Sequence, residues 1–143
     1  VPIARGGSGG ISDTLSVLIP FAEAGGTILS GQALAMIDVL GIKTLVLCGV
    51  EVVEYARQFI GFASQDFAVG ENHPIITGRG SRVEPLLEGG GLLTPEALLY
   101  LSLTPGYLTH TAPLVAGIAS TSVGHAVSTT EMILKTDSRV HIP

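Results

Sequence analysis

Cys48 is the only cysteine in the chain, and the four histidines, His73, His110, His125 and His141, stand singly along it. One cysteine permits neither an intrachain disulfide nor a cysteine-based metal cage. Its setting in Leu45-Val46-Leu47-Cys48 is that of a small core residue. No two histidines share a metal-ligand spacing such as His-x-x-x-His. A metal site would need the fold to gather them, with His125 and His141 the first candidates. Among the carboxylates the closest pairs are Glu51 with Glu54 and Glu84 with Glu88. Acid–base catalysis needs a set distance and burial; neither pair has a polar, catalytic-looking neighbourhood, and both read as solvated surface acids. Gly6-Gly7-Ser8-Gly9-Gly10 fits the G-x-S-x-G pattern, but a nucleophile elbow needs a strand entering and a helix leaving. Only five residues precede it here, so a glycine-rich linker is the expectation. Gly78-Arg79-Gly80-Ser81-Arg82 has the composition of an anion-binding nest. It lacks the Gly-Lys-Ser/Thr ending of a phosphate loop and reads as a turn between strands.

The residues able to do chemistry therefore do not converge. The expectation is a protein that is not an enzyme, with no cofactor and no bound metal. Ile28-Leu29-Ser30-Gly31-Gln32-Ala33-Leu34 resembles a strand-turn-strand stretch of biotinyl and lipoyl carrier domains. Those present a modifiable lysine at a hairpin tip, whereas Lys43 and Lys135 lie beside or within apolar runs.

The elements that carry these residues are short apolar runs punctuated by glycine and proline, the pattern of a small β-sandwich or barrel. Strands are predicted at Leu15–Ile19, Thr27–Leu29, Ala33–Ile37, Lys43–Cys48, Phe59–Ser64, Ile75–Thr77, Arg82–Leu86, Leu98–Ser102, Ala119–Ala126 and Met132–Lys135. Turns are predicted at Glu23–Gly26, Ser30-Gly31, Gly78–Gly80, Gly89–Gly91 and Pro105-Gly106. Val52, Val53, Ala56 and Phe59 recur at helical spacing, which predicts a short helix over Glu51–Gln58. Thr94-Pro95-Glu96 reads as a turn entering a strand. The first twelve residues form a glycine-rich N-terminal arm expected to be extended and flexible. Residues 13–143 form one β-rich domain in which no internal repeat is read. The chain starts at Val1 with neither a methionine nor a signal-peptide pattern.

The totals narrow the function classes. Hydrophobic residues make up 46% and charged residues 13% of the 143, too apolar a composition for a disordered chain. No apolar run reaches the roughly 18–20 residues that would span a bilayer, so no membrane partner is expected. The net charge is −5, and nucleic-acid binding needs clustered Lys and Arg, so the composition argues against that partner too. So few charges leave a largely neutral surface, which predicts partner contacts and an oligomer.

Two stretches resemble known proteins. Pro2-Ile3-Ala4-Arg5-Gly6-Gly7-Ser8-Gly9 is similar to a "P-I-A-R-G-G-T-G" segment of phage tail-fibre proteins, with Ser8 at the threonine. Gly25–Leu34, Phe59–Ala63, Leu98–Ser102, Pro105–Thr109, Ala112-Pro113, Val123–Ser128 and Met132–Leu134 resemble, in order, the strands of bacteriophage head-decoration (capsid cement) and head-fibre domains. This likeness implies a structural virion protein on the capsid exterior, a homotrimer that binds the major capsid protein and stabilises the shell. It implies no catalytic residues. The arm residues Pro2, Ile3, Arg5, Gly6 and Gly9 would then contact capsid or subunit. The alternative it leaves is a tail-fibre or receptor-binding module, with Tyr100 or Tyr107 facing a carbohydrate or protein.

Overall fold

A computed structural model describes residues 15–50, 58–113 and 122–135. Every regular element among them is a β-strand: β1 Leu15–Val17, β2 Ala22–Ala24, β3 Ala33–Val39, β4 Ile42–Leu47, β5 Phe59–Ala63, β6 Ile75–Thr77, β7 Arg82–Val83, β8 Leu98–Leu101, β9 Leu108–Thr109, β10 Ser122–Ala126 and β11 Met132–Leu134. They form a six-stranded sheet in the order β1-β6-β5-β3-β4-β2 and a five-stranded sheet in the order β7-β11-β10-β8-β9. The fold is thus the expected all-β sandwich, and neither sheet is a closed barrel. The predicted helix lies outside the described residues apart from Gln58, as do the arm and residues 119–121 of the ninth predicted strand.

The first sheet curls. Flat, six strands would separate the edges β1 and β2 by about 24 Å. Only residues 18–21 join them, and that link reaches about 18 Å at most. The inside of the curl holds Ala22, Ala24, Ile28, Leu34, Leu45, Ala63, Phe67 and Ile75. Two predictions fail here. Thr27–Leu29 is reduced to one bridge, Ile28 to Phe67, and the predicted turn at Glu23–Gly26 gives up Glu23 and Ala24 to β2. Pairing decides it: β2 lies parallel to β4, with Ala24 opposite Leu45, and its small side chains Ala22 and Ala24 are buried.

The structure also overturns the expectation of no repeat. The second sheet reproduces the first strand for strand, with β7, β11, β10, β8 and β9 standing where β1, β6, β5, β3 and β4 stand. Leu87, bridged in parallel to Leu108, takes the place of β2. The hydrogen bonds recur: Gly31 N donates to Ala63 O (2.9 Å) and Ala63 N to Gln32 O (3.0 Å). In the second half Glu96 N donates to Ala126 O (2.7 Å) and Ala126 N to Ala97 O (2.9 Å). Gly31 has φ 87° and Glu96, at the same place, φ 71°, so one turn geometry is kept where glycine has been replaced. Ile28, Leu34, Leu45, Ala63 and Ile75 in one half match Leu93, Leu99, Leu108, Ala126 and Met132 in the other. All ten are buried.

The halves share a core. Ala33, Ala35, Cys48 and Phe62, from the outer side of the first sheet, belong to the same cluster as Leu99, Leu101, Val123 and Met132 of the second. Backbone bonds join them, from Ala33 N to Gly106 O (3.0 Å), Gly106 N to Cys48 O (2.8 Å) and Val50 N to Ser102 O (3.0 Å).

Candidate interaction surface

Among the described residues, the chemistry-bearing side chains stand in separate places. Cys48 is fully buried, and desolvation pushes its thiol up to about 12, so it stays protonated at neutral pH. His73 stacks edge-on to Phe67 (centroids 4.9 Å), His110 Nε2 accepts from Thr94 N at 3.0 Å, and His125 is exposed on β10. Among the described residues no group of His, Cys, Asp or Glu is placed to hold a metal. His141 and the pair Glu51 and Glu54 lie outside those residues, as do Pro2, Ile3, Arg5, Gly6 and Gly9. Gly78–Arg82 forms the turn that carries the chain from β6 to β7, and Arg82 Nη1 meets Glu131 Oε1 at 3.3 Å. The Glu88 carboxylate accepts from the Ser102 hydroxyl.

Two features point outward instead. The first is an apolar end of the first sheet. The β3–β4 hairpin turns at Leu40-Gly41, with φ 53° and 86°, the paired positive values of a type I′ turn. Asp38 Oδ1 accepts from Gly41 N at 2.7 Å and braces it. Asparagine or glycine suits the first turn position; leucine there costs about 1–2 kcal/mol. Leu40 is nonetheless 98% exposed. Ala22 opposite Lys43 puts Phe21 level with Ile42, and Phe21 is 92% exposed at φ 62°. Two bulky apolar residues thus occupy strained backbone positions at one end of one sheet, with Val39 and Ile42 half-exposed beside them. Nothing inside the fold is gained by this arrangement, which suits contact with another surface. Sequence reading missed it, because both positive φ values arise from strand register and only Gly41 signals a turn.

The second feature is a cleft of about 610 Å3 in the second half, lined by Pro85, Leu86, Leu87, Glu88, Thr104 and Tyr107 together with Gly89–Gly91. Tyr107, one of the two tyrosines singled out from the sequence, lies here; Tyr100 is half-buried in β8.

In the first half the matching edge is covered by the segment between β5 and β6. Glu71 fastens that cover: its Oε1 accepts from Ala68 N at 2.8 Å and from His73 Nε2 at 3.1 Å. The Ala68 bond, then His73, hold the Glu71 carboxyl below its ordinary value of 4.5. A depressed folded-state pKa adds stability that is present above the unfolded-state value and lost as pH falls through the folded one. Acid titration should therefore release this clasp only below the ordinary carboxylate range. The Ala68 amide shift in NMR should follow that step, and Glu71→Ala should abolish it. An Ala68 shift that titrates at the ordinary carboxylate value would refute the assignment.

No family model matches the chain, and no curated protein matches it. Among solved structures, it is similar to the head fiber gp8.5 N base of bacteriophage phi29, with a TM-score of 0.52 at 13% identity over 90% of this chain and 99% of that one. The two share a fold, and the likeness to head-fibre proteins read from scattered strands of the sequence holds at that level.

Proposed function

We propose that the chain is a non-enzymatic structural protein of a phage virion that decorates the capsid exterior and stabilises the shell, as a homo-oligomer bound to the major capsid protein. The observation that carries this reading is the fold shared with a head-fibre base across nine-tenths of the chain. The apolar end of the first sheet supports it, since a strained, exposed Phe21 and Leu40 serve contact better than folding. The mechanism is physical: a protein that binds only the assembled shell shifts disassembly uphill by mass action. Rigid sheets supply contact area, and the N-terminal arm with Pro2, Ile3, Arg5, Gly6 and Gly9 reaches a neighbouring subunit. A trimer is the expected assembly, and neither nucleic acid nor membrane is a partner.

The test is co-sedimentation of the purified chain with empty capsids, followed by thermal disruption of the decorated shells. Leu40→Asn should keep or raise the stability of the free protein by up to about 1 kcal/mol, because asparagine tolerates the turn. The same change should weaken capsid occupancy. Removal of residues 1–12 should likewise lower occupancy without unfolding the domain. Full occupancy by both variants would defeat the reading. A second reading, attachment to a host receptor, draws on the Pro2–Gly9 stretch and the Tyr107 cleft. A glycan screen that finds a ligand lost in Tyr107→Ala would favour it.

A further inference from the structure

The hairpin that joins β8 to β9 docks on the first half of the molecule. Ala33 N donates to Gly106 O (3.0 Å), Gly106 N to Cys48 O (2.8 Å) and Val50 N to Ser102 O (3.0 Å). It lies so close to Gly49 that a Cβ there would stand 3.0 Å from Pro105 Cα. Ala33, Cys48 and Val50 are fully buried beneath it. The contact runs one way only among the described residues. The matching hairpin of the first half, which joins β3 to β4, projects instead: Leu40 is 98% exposed and Gly41 has open space around it. The matching seat on the second half is open too. Leu34 matches Leu99 and Leu45 matches Leu108, so Leu98 holds the place of Ala33, and Thr111 and Pro113 hold those of Cys48 and Val50. Leu98 is 50% exposed, Thr111 is exposed and Pro113 is half-buried.

We propose that the β3–β4 hairpin of one copy docks on the open seat of a second copy, repeating between chains the contact that joins the halves within one. A hairpin on one surface and a seat on another make a heterologous contact, which closes into a ring when the rotation allows. Apolar surface is exposed on both sides: Val39, Leu40 and Ile42 on the hairpin, Leu98 on the seat. Docking removes it from water. The differences between the halves fit this use. Ala112 stands where Gly49 lets a backbone come close, so the seat of the second half holds a docking backbone farther off. Pro113 has no N–H with which to repeat the Val50 bond, so side chains carry more of the contact. The docking hairpin has the reach for it. Residues 37–44 lie between Met36 and Leu45, whereas only 102–107 lie between Leu101 and Leu108. Its tip is Leu40-Gly41 where the shorter hairpin has Pro105-Gly106, and the two glycines share their turn geometry, with φ 86° and 89°. The inference rests on the homo-oligomer given above and names its interface.

The experiment is light scattering on the full chain in the absence of capsids. The wild type is expected to be a trimer. Leu40→Asn removes the apolar tip of the hairpin, and Leu98→Glu spoils the seat. Both positions are exposed, so the variants keep the fold, which melting close to the wild type checks. Each alone is expected to fall to a monomer at the concentration where the wild type is assembled. Mixed in equal amounts they should form a one-to-one dimer, since the first keeps an intact seat and the second an intact hairpin. A wild-type monomer, a variant that keeps the wild-type mass, or a mixture that stays monomeric would each overturn the contact. Capsid occupancy is measured separately. A monomer that still occupies capsids would overturn this contact and leave the capsid reading standing; a trimer lost in both variants but never bound to capsids would do the reverse.

Discussion

Gly61→Ala is expected to destabilise the fold severely, by about 1–3 kcal/mol for backbone strain and about 1–3 kcal/mol more for the displacement it forces. β5 carries a bulge here: Leu34 faces Gly61 and Ala35 faces Phe59, so Ile60 is extra. Gly61 has φ 151°, and a Cβ on it would strike the Ile76 carbonyl oxygen and lie 2.9 Å from Ile75 Cγ2. The bulge recurs in the second half, where Gly124 follows an unpaired Val123. A Cβ there would strike the Ile133 carbonyl oxygen. Gly124→Ala should therefore also destabilise, through the clash alone. Gly41→Ala is the control, since Gly41 has φ 86° but open space around it, and should lose only about 1–2 kcal/mol. Urea unfolding of the three variants measures the order. Equal losses at Gly61 and Gly41 would mean that no neighbouring strand crosses over Gly61.

Phe62→Ala should lose about 3–5 kcal/mol and keep a single unfolding transition. Phe62 is fully buried, sits edge-to-face with Phe59 (centroids 5.5 Å, interplanar angle 78°), and belongs to the cluster that joins the two sheets. A cavity there weakens both halves at once, which keeps the loss cooperative. Phe21→Ala, at a residue 92% exposed, should stay within about 0.5 kcal/mol. Calorimetry separates the cases. A variant Phe62→Ala that melts in two steps would show that each half stands by its own core.

Much of the architecture was legible in the sequence. Alternating apolar runs bounded by glycine or proline located β3, β4, β5, β8 and β11 to within a residue or two at most ends, because strand character at those sites is set by local side chains. The turns at Gly78–Gly80 and Pro105-Gly106 were legible for the same reason. What tertiary structure decided depends on partners distant in the chain. β2 exists because β4 lies beside it in parallel, and two of its three residues looked like part of a turn. The repeat shows in sequence only as Ile60-Gly61-x-Ala63 against Val123-Gly124-x-Ala126. The rest of each half needs only apolar side chains of fitting volume, and many sequences satisfy that. The apolar end with Phe21 and Leu40 and the cleft beside Leu87 come from strand register and from the way distant segments pack. Neither is a property of any residue read alone, so the candidate surfaces appeared only once the sheets were paired.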